Sequence, residues 1–202
     1  MPVPVPVPAS RITNRLSQAL CIIGDSGVGK STRIEKTLEN ENHKTLYVIV
    51  DSMWQHLLFD YDPENRKYIF TKISKFIKDA FNTPKVNHTI IFDECHKNLE
   101  LINDVLLQAI SIGRNNGKRF ISLNTSVDSE FSFLEEKNGY REIPNNLGFM
   151  FISSKSDVIL EGNSDLRNRV KIVELTKEDQ DKEFTLDYLF HKVLPLTSPE
   201  QI

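Results

Sequence analysis

The sequence predicts an α/β fold, a three-layer sandwich in which helices cover both faces of a mostly parallel sheet. Several short segments are apolar without alternation, which is typical of strands buried on both faces. Segments of helical length, with apolar residues three or four positions apart, follow the first three of these strands. Such strand–helix alternation favours parallel strands joined by right-handed crossovers. The 202 residues are enough for one such domain with a buried core.

The individual elements follow from these two patterns. Apolar runs of strand length predict strands at 19–24, 45–51, 88–94, 118–126, 147–154 and, with a weaker pattern, 169–175. Apolar residues that recur on one face predict helices at 30–40, 66–81 and 98–113. Residues 11–175 are therefore expected to form one domain, and 176–202 a C-terminal tail with one or two helices.

Residues 1–10, MPVPVPVPAS, precede this domain and carry proline at positions 2, 4, 6 and 8. Because proline fixes φ near the polyproline II value, an extended arm is predicted. The arm is expected either to be solvated or to dock on a neighbouring subunit. It lacks the basic start and apolar core of a secretion signal.

The composition restricts the partners and the compartment. The formal net charge is −3, so a DNA-binding surface would have to be a local patch and not a general basic field. No apolar run approaches the roughly 20 residues of a membrane-spanning helix. The two cysteines, Cys21 and Cys95, fall in or beside predicted strands and are expected to be packing residues. This usage indicates a reducing compartment, and a cytoplasmic protein is predicted.

A glycine-rich segment, GDSGVGKST, follows the first predicted strand and opens the first predicted helix. It matches G-x-x-x-x-G-K-[ST], the phosphate loop (Walker A) of nucleotide-binding proteins. Glycine permits a turn whose backbone N–H groups surround a phosphate, and the helix directs its positive end at the anion. Lys30 would reach the β- and γ-phosphates of ATP, and the Ser31 hydroxyl would ligate Mg²⁺. The residues predicted to contact the nucleotide are Gly24, Asp25, Ser26, Gly27, Val28, Gly29, Lys30, Ser31 and Thr32.

The segment IIFDECHKN ends a predicted buried strand in two adjacent carboxylates. Beside a phosphate loop, Asp93 is expected to hold Mg²⁺, and Glu94 to polarise the water that attacks the γ-phosphate. A zinc site with Cys95 and His96 is the rival interpretation, although no second ligand pair stands at zinc spacing. Asp93 or Asn98 is also a candidate cap of the next helix. His96 is either a sensor of the γ-phosphate or an ordinary polar residue.

The segments IIGDSGVGKST, TLYVIVDS, IIFDECHKN and GRNNGKRFISLNTS together resemble the FtsK–HerA superfamily, nearest the small DNA-packaging ATPases of double-stranded DNA viruses. The likeness covers residues 19 to about 157. Gly113, Arg114 and Gly117 match a turn of that family, and Asn124 stands where a glutamine is expected. The resemblance implies a P-loop NTPase sheet of the RecA/ASCE type.

This resemblance implies an ATP- and Mg²⁺-dependent motor, a ring-shaped hexamer or pentamer that packages or translocates double-stranded DNA. A viral capsid or portal component is an implied partner, and the location would be the host cell interior or the virion. Catalysis would use Lys30, Glu94, Asn124 as the γ-phosphate sensor and Arg114 from a neighbouring subunit. Lysines and arginines in loops would contact DNA phosphates. The candidates are Lys118, Arg119 and Lys137.

A second set of segments, REIPNNLGFMFISSKSD followed by DLRNRVKIVEL, is similar to the AAA+ ATPases of the McrB and dynein-related branch. This alternative implies remodelling of a DNA or protein partner. Arg167 and Arg169 would then reach into the neighbouring active site, and Ser154 would occupy the sensor position in place of asparagine. A third interpretation, a scaffold that binds nucleotide without hydrolysing it, is disfavoured because four residues are intact that a silent site does not need: Lys30, Ser31, Asp93 and Glu94.

The two resemblances predict different positions for two strands. The packaging-type resemblance implies that residues 118–126 form a central strand beside the IIFDE strand. The AAA+ resemblance implies that 118–126 pair with 140–143 in a hairpin and that 147–154 take the central position.

Overall fold

The computed structural model describes residues 19–40, 43–111, 118–122, 140–161, 164–179, 182 and 184–193. The strands are β1 (Leu20–Ile23), β2 (Lys44–Ile49), β3 (Phe59–Asp62), β4 (Lys67–Phe70), β5 (His88–Asp93), β6 (Phe120–Ser122), β7 (Tyr140–Glu142), β8 (Leu147–Ser153) and β9 (Lys171–Glu174). The α-helices are α1 (Lys30–Asn40), α2 (Lys72–Asn82), α3 (Leu99–Ile110), α4 (Ser156–Glu161), α5 (Ser164–Arg167) and α6 (Leu186–His191). The predicted N-terminal arm lies outside the described residues.

Five parallel strands form the central sheet in the order β2-β5-β8-β1-β9. Ile23 at the end of β1 pairs with Ser153 at the end of β8, and Phe92 near the end of β5 pairs with Phe151. The carboxyl ends of these three strands therefore meet at one edge of the sheet, where ligands of such sheets bind. The predicted α/β class with a mostly parallel sheet is confirmed.

Hydrophobic clusters lie on both faces of the sheet, because alternate strand residues point to opposite sides. On one face, Cys21 and Phe92 pack with Ile77 of α2 and Leu106 of α3. On the other face, the buried side chains include Leu20, Ile22, Ile91, Ile34 of α1 and Leu189 of α6. This arrangement is the predicted three-layer sandwich. No helix in the described ranges is long and apolar enough to cross a membrane.

The predicted helix at 66–81 is wrong in its first part, where residues 67–70 form β4. This strand pairs antiparallel with β3. The side chain of Asp62 accepts hydrogen bonds from the backbone N–H groups of Glu64 (3.0 Å) and Asn65 (3.2 Å), which stabilises the connecting turn. Thr71 then caps α2 by accepting from the Ser74 N–H at 3.3 Å. The apolar YIF segment therefore belongs to a hairpin.

The segment predicted as a strand at 118–126 contributes β6, which pairs antiparallel with β7 outside the central sheet. The central position between β5 and β1 is occupied by β8. All seven residues of β8 are buried, as a position covered on both faces requires. The strand positions implied by the AAA+ resemblance are thus the observed ones, and those implied by the packaging-type resemblance are not. Residues 123–126 lie outside the part of the chain that the structure describes.

The C-terminal helix α6 is attached to the domain by a buried carboxylate. Asp179 accepts hydrogen bonds from the Tyr188 hydroxyl (2.5 Å), the Thr176 N–H (2.8 Å) and the Lys192 ammonium. Burial opposes ionisation of this carboxylate, but these donors outweigh it and hold the pKa of Asp179 well below its usual range. Leu186 and Leu189 bury the apolar face of the helix.

His43, just before β2, makes folding sensitive to acid. Its ring is buried, Nδ1 lies 3.3 Å from the Thr89 hydroxyl, and Nε2 has no partner in the described part of the chain. Burial, together with the neighbouring His88, lowers the pKa of His43 to about 4. In the unfolded chain, histidine titrates near 6.5, so the unfolded state binds more protons between these two values. The stabilisation is complete above about pH 6.5 and is lost as the pH falls toward 4.

We expect the free energy of unfolding to fall by about 3 kcal/mol between pH 6.5 and pH 4 on account of His43 alone. Urea denaturation at several pH values would measure this slope. His43→Gln should flatten it, whereas His56→Gln, at an exposed histidine, should leave it unchanged. Equal slopes in the wild type and His43→Gln would contradict the assignment.

Candidate functional site

The glycine-rich loop leaves the carboxyl end of β1 and leads into α1. Gly24, Gly27 and Gly29 have φ values of 146°, 84° and 77°, which glycine adopts most readily. The loop side chains of Asp25 and Ser26 are exposed. Val28 is buried in the hydrophobic cluster beneath the loop and anchors it. Successive backbone N–H groups in such a turn form a concavity that binds anions.

Lys30 is folded over this loop. Its ammonium donates hydrogen bonds to the carbonyl oxygens of Gly24 (2.7 Å) and Asp25 (2.8 Å). Burial lowers the pKa of Lys30, and the nearby carboxylates of Asp93 and Glu94 oppose this shift. The arrangement holds a cation at the mouth of the loop, where it can meet an anion.

One hydrogen bond joins the helix that follows the loop to the acidic pair at the end of β5. The Ser31 hydroxyl, in the first turn of α1, donates to Asp93 Oδ2 at 2.7 Å. The same oxygen accepts a hydrogen bond from the Tyr47 hydroxyl of β2, and Oδ1 accepts from the Glu94 N–H at 2.8 Å. Tyr47 is not among the residues predicted from the sequence. The only signal was a hydroxyl-bearing residue in an apolar strand that neighbours β5.

Glu94 is turned toward β8 by its backbone. It adopts the left-handed conformation (φ 54°, ψ 37°), which is uncommon for a residue other than glycine and occurs often at functional sites. The Ser154 hydroxyl lies 3.1 Å and 3.3 Å from its two carboxylate oxygens and donates to them. Ser154, the residue that the AAA+ resemblance predicts at the sensor position, directly follows β8. Glu94 thus has one partner from the segment that directly follows β8, the strand between β1 and β5.

His96 connects the same two strand ends. Its Nε2 lies 3.3 Å from Glu94 Oε2, and its Nδ1 lies 3.0 Å from the Ser153 hydroxyl. Burial lowers the pKa of His96, as do Lys97 and Lys155, while Glu94 opposes the shift. The lowered pKa of His96 favours the neutral imidazole beside Glu94. This geometry places His96 beside Glu94 and not within the loop.

The zinc alternative has no structural support. Among the described residues, no group of three or more histidine, cysteine, aspartate or glutamate side chains could hold a metal ion together. Cys21 and Cys95 are both free and buried. A hydrogen bond with Cys21 and burial raise the pKa of the Cys95 thiol well above its usual value. A protonated, buried thiol is a packing residue, as predicted.

The capping alternative is realised by Asn98 and not by Asp93. The Asn98 carbonyl accepts from the Leu101 N–H at 3.4 Å, and its amide donates to the carbonyls of Trp54 (3.0 Å) and Asp51 (3.2 Å). Asn98 therefore begins α3 and also fixes the segment that follows β2. Asp93 instead accepts the hydrogen bond from Ser31.

The predicted arginines of the AAA+ alternative form hydrogen bonds within their own chain. Arg167 donates to the Leu160 carbonyl at 2.7 Å, and Arg169 donates to the Ser111 hydroxyl. Arg169 lies just before β9, whose first residue pairs with Leu20 at the start of β1. Arg169 therefore belongs to the sheet edge opposite the glycine-rich loop of its own chain, whereas Arg167 is held against α4, which follows β8.

The remaining predicted residues are placed as follows. Arg119 is 3% exposed, donates to the Pro144 carbonyl at 2.8 Å, and has its pKa lowered to about 10 by burial, which does not fit a contact with DNA phosphates. Lys118 is exposed and forms an ion pair with Glu142 at 2.8 Å. The predictions that lie outside the described residues are Gly113, Arg114, Gly117, Asn124 and Lys137.

The oxygen ligands at this edge fit a magnesium ion. Mg²⁺ is usually bound by one or two carboxylates together with substrate phosphates and water, and not by a complete protein cage. Ser31 and Asp93 supply a hydroxyl and a carboxylate in contact with each other, one step from the anion-binding loop.

No known protein-family model matches the chain, and no protein with a curated description is significantly similar to it.

Proposed function

We propose that this protein is an ATPase that converts ATP and water to ADP and phosphate with the help of Mg²⁺. The observation that carries the proposal is the 2.7 Å hydrogen bond from Ser31 to Asp93. It joins an anion-binding loop with a cation to a pair of carboxylates at the carboxyl edge of a parallel sheet. Phosphoryl transfer requires these parts: positive charge on the phosphates, metal ligands and a base for water.

Each side chain has one role in the proposed reaction. The backbone of the loop and Lys30 bind the β- and γ-phosphates, while Ser31 and Asp93 hold Mg²⁺. When bound, the ion neutralises phosphate charge as it develops. Glu94 orients the attacking water and accepts its proton as the oxygen bonds to the γ-phosphorus and the bond to ADP breaks. Ser154 holds the Glu94 carboxylate in position before the reaction.

We propose further that the protein works as a ring of identical subunits, a hexamer or a pentamer. Two observations support the AAA+ alternative over the packaging-type arrangement: β8 lies between β5 and β1, and β6 pairs with β7 in a hairpin. Arg167 and Arg169, the latter at the edge opposite its own loop, are the residues that the AAA+ resemblance assigns to the site of a neighbouring subunit. An arginine supplied in this way stabilises the transition-state charge on the γ-phosphate.

The polymer on which the ring acts is either double-stranded DNA or a protein. DNA translocation follows from the packaging-type resemblance, and remodelling of a DNA or protein partner follows from the AAA+ resemblance. The free, buried cysteines Cys21 and Cys95 support a cytoplasmic, reducing location for either activity.

The test is ATP turnover by the full chain over a range of protein concentrations, with and without double-stranded DNA. Turnover per subunit should rise with protein concentration as the ring assembles. Lys30→Ala, which removes the loop cation, should abolish turnover at every concentration. Stimulation by DNA would favour a translocase, and turnover unaffected by DNA would favour a protein partner. ATP binding without turnover under all these conditions would overturn the proposal and leave a nucleotide-dependent scaffold.

A further inference from the structure

An aromatic cleft is lined by the segment that follows β2, by the β3–β4 hairpin and by the first residues of α2. It encloses about 750 Å³, within the range of pockets that hold ligands of several hundred daltons. Its walls include the rings of Trp54, Phe59, Tyr61, Tyr68 and Phe70. The Tyr61 and Tyr68 rings meet edge to face at 5.5 Å, which sets two ring faces at an angle. None of the residues that line the cleft is assigned to the proposed ATP site.

The apolar side chains of this cleft are unusually open to solvent. Met53 is 82% exposed, Tyr61 49%, Ile69 40% and Tyr68 38%. All four line the cleft, and they are most of the strongly exposed large hydrophobic residues in the described ranges. A concentration of exposed apolar surface around a concavity indicates an interaction site.

The cleft also presents hydrogen-bond donors. The hydroxyls of Tyr61 and Tyr68 and the indole N–H of Trp54 make no hydrogen bond within the described part of the chain. Ring faces combined with free donors are the surface that binds proline-rich polyproline II segments. Such a segment supplies pyrrolidine rings for the aromatic faces and backbone carbonyls for the donors.

The chain contains one segment of this chemistry, residues 1–10, MPVPVPVPAS. Its four prolines lack N–H groups, so its backbone offers mainly acceptors. Residues 2–9 are all apolar and uncharged, so solvent does not favour their exposure. Arg11 and Arg15 follow the segment, and the hairpin beside the cleft carries Asp60, Asp62 and Glu64. We propose that the aromatic cleft binds the N-terminal arm of a neighbouring copy of this chain.

The positions of the arm and the cleft favour a neighbouring copy over the same chain. β1 is the third strand from β2, which separates the two by about 14 Å across the sheet. The arm leads to the first residue of β1, at the amino edge of the sheet, whereas the cleft is lined by residues that follow β2, whose last residue lies at the carboxyl edge. A neighbouring copy can present its arm to the cleft without crossing from one edge of the sheet to the other.

Trp54 is the single tryptophan of the chain, so its fluorescence reports directly on the cleft. The experiment uses the full-length chain with all four arm prolines replaced (Pro2→Ser, Pro4→Ser, Pro6→Ser, Pro8→Ser) and a synthetic peptide of residues 1–10. The peptide should shift the Trp54 emission to shorter wavelength with saturation. A peptide with serine at the four proline positions should not. The absence of a saturable shift, or an equal shift with both peptides, would overturn the proposal.

Two variants distinguish binding of the peptide in the cleft from nonspecific binding to exposed apolar residues. In the chain with the serine-substituted arm, the added pair Tyr61→Ala and Tyr68→Ala should weaken peptide binding at least about tenfold. Tyr140→Ala, at a tyrosine of similar exposure on the other hairpin, should change it less than about twofold. Equal effects of the two changes would overturn the assignment of the cleft.

Sedimentation equilibrium decides whose arm is bound. The wild-type chain should associate at lower concentration than the four-serine chain, because only its arms bridge subunits. If the two chains associate equally while their Trp54 emission differs, the arm binds its own cleft and the proposal of a neighbouring copy is overturned. Neither measurement needs ATP, so the outcome is independent of the proposed ATPase activity.

Discussion

Replacement of Glu94 by glutamine is expected to lower ATP turnover by about 10²–10⁴-fold while leaving ATP binding intact. The carboxylate lies beside the loop and is oriented by Ser154 and His96. Glutamine preserves the size of the side chain and can still accept a hydrogen bond from Ser154. It cannot accept the proton of the attacking water. The change therefore removes the proposed base and leaves the Ser31–Asp93 contact in place.

Two measurements separate the effects of this variant: phosphate release gives kcat, and titration with a fluorescent ATP analogue gives Kd. Glu100→Gln is the matched control, because Glu100 is an exposed glutamate in the first turn of α3. It should change kcat by less than about twofold, as expected for a surface substitution. If Glu94→Gln and Glu100→Gln hydrolyse ATP at similar rates, Glu94 is not the base.

The parts of the site that the sequence predicts are those set by local pattern. The loop and its lysine are contiguous in GDSGVGKST, and Asp93 and Glu94 end an apolar run. Once β1 and β5 are parallel strands of one sheet, their carboxyl ends share an edge, so the meeting of Ser31 with Asp93 follows. The local sequence patterns and the shared edge of parallel strands are sufficient to predict the contact between Ser31 and Asp93.

The missed contacts depend on neighbours that are distant in the sequence. Tyr47 reaches Asp93 because β2 is paired with β5, and nothing in the segment TLYVIVD marks its hydroxyl as part of a site. Ser153 and Ser154 meet His96 and Glu94 only because β8 is the strand beside β5. The sequence left the position of β8 open between two arrangements, and the partners of Glu94 could not be derived without it.

The β3–β4 hairpin was missed because its apolar residues also fit a helix. In RKYIFTKISKFIKDAF, positions 69, 70, 73, 76 and 77 lie at helical spacing, so periodicity alone extends α2 backward. The competing signal was the DPEN sequence before it, in which Asp62 accepts hydrogen bonds from the next residues and stabilises a turn. Thr71, the observed N-cap, was the local signal that α2 begins at the next residue.

Replacement of Gly24 by alanine is expected to have the largest effect on stability, because two independent obstacles coincide at this position. Its φ of 146° is a conformation that L side chains rarely adopt. A Cβ atom would also lie 2.2 Å from the carbonyl oxygen of Leu175. That oxygen belongs to the backbone beside β9, where the Leu175 N–H donates to the Ile23 carbonyl at 2.9 Å, so it cannot withdraw without loosening the sheet.

Gly24→Ala should therefore lower the free energy of unfolding by about 3 kcal/mol or more, from strain and backbone overlap together. Gly27→Ala is the matched control, because φ is 84° there and no atom lies within 4 Å of the added Cβ. It should cost about 1–2 kcal/mol, the conformational strain alone. Urea denaturation measures both values.

Because Lys30 donates to the Gly24 carbonyl, ATP binding by Gly24→Ala should also fall at least about tenfold, which corresponds to one such contact. Equal destabilisation by the two alanines would mean that the loop moves freely away from Leu175, and that contact with β9 does not hold the loop in the shape that binds phosphate.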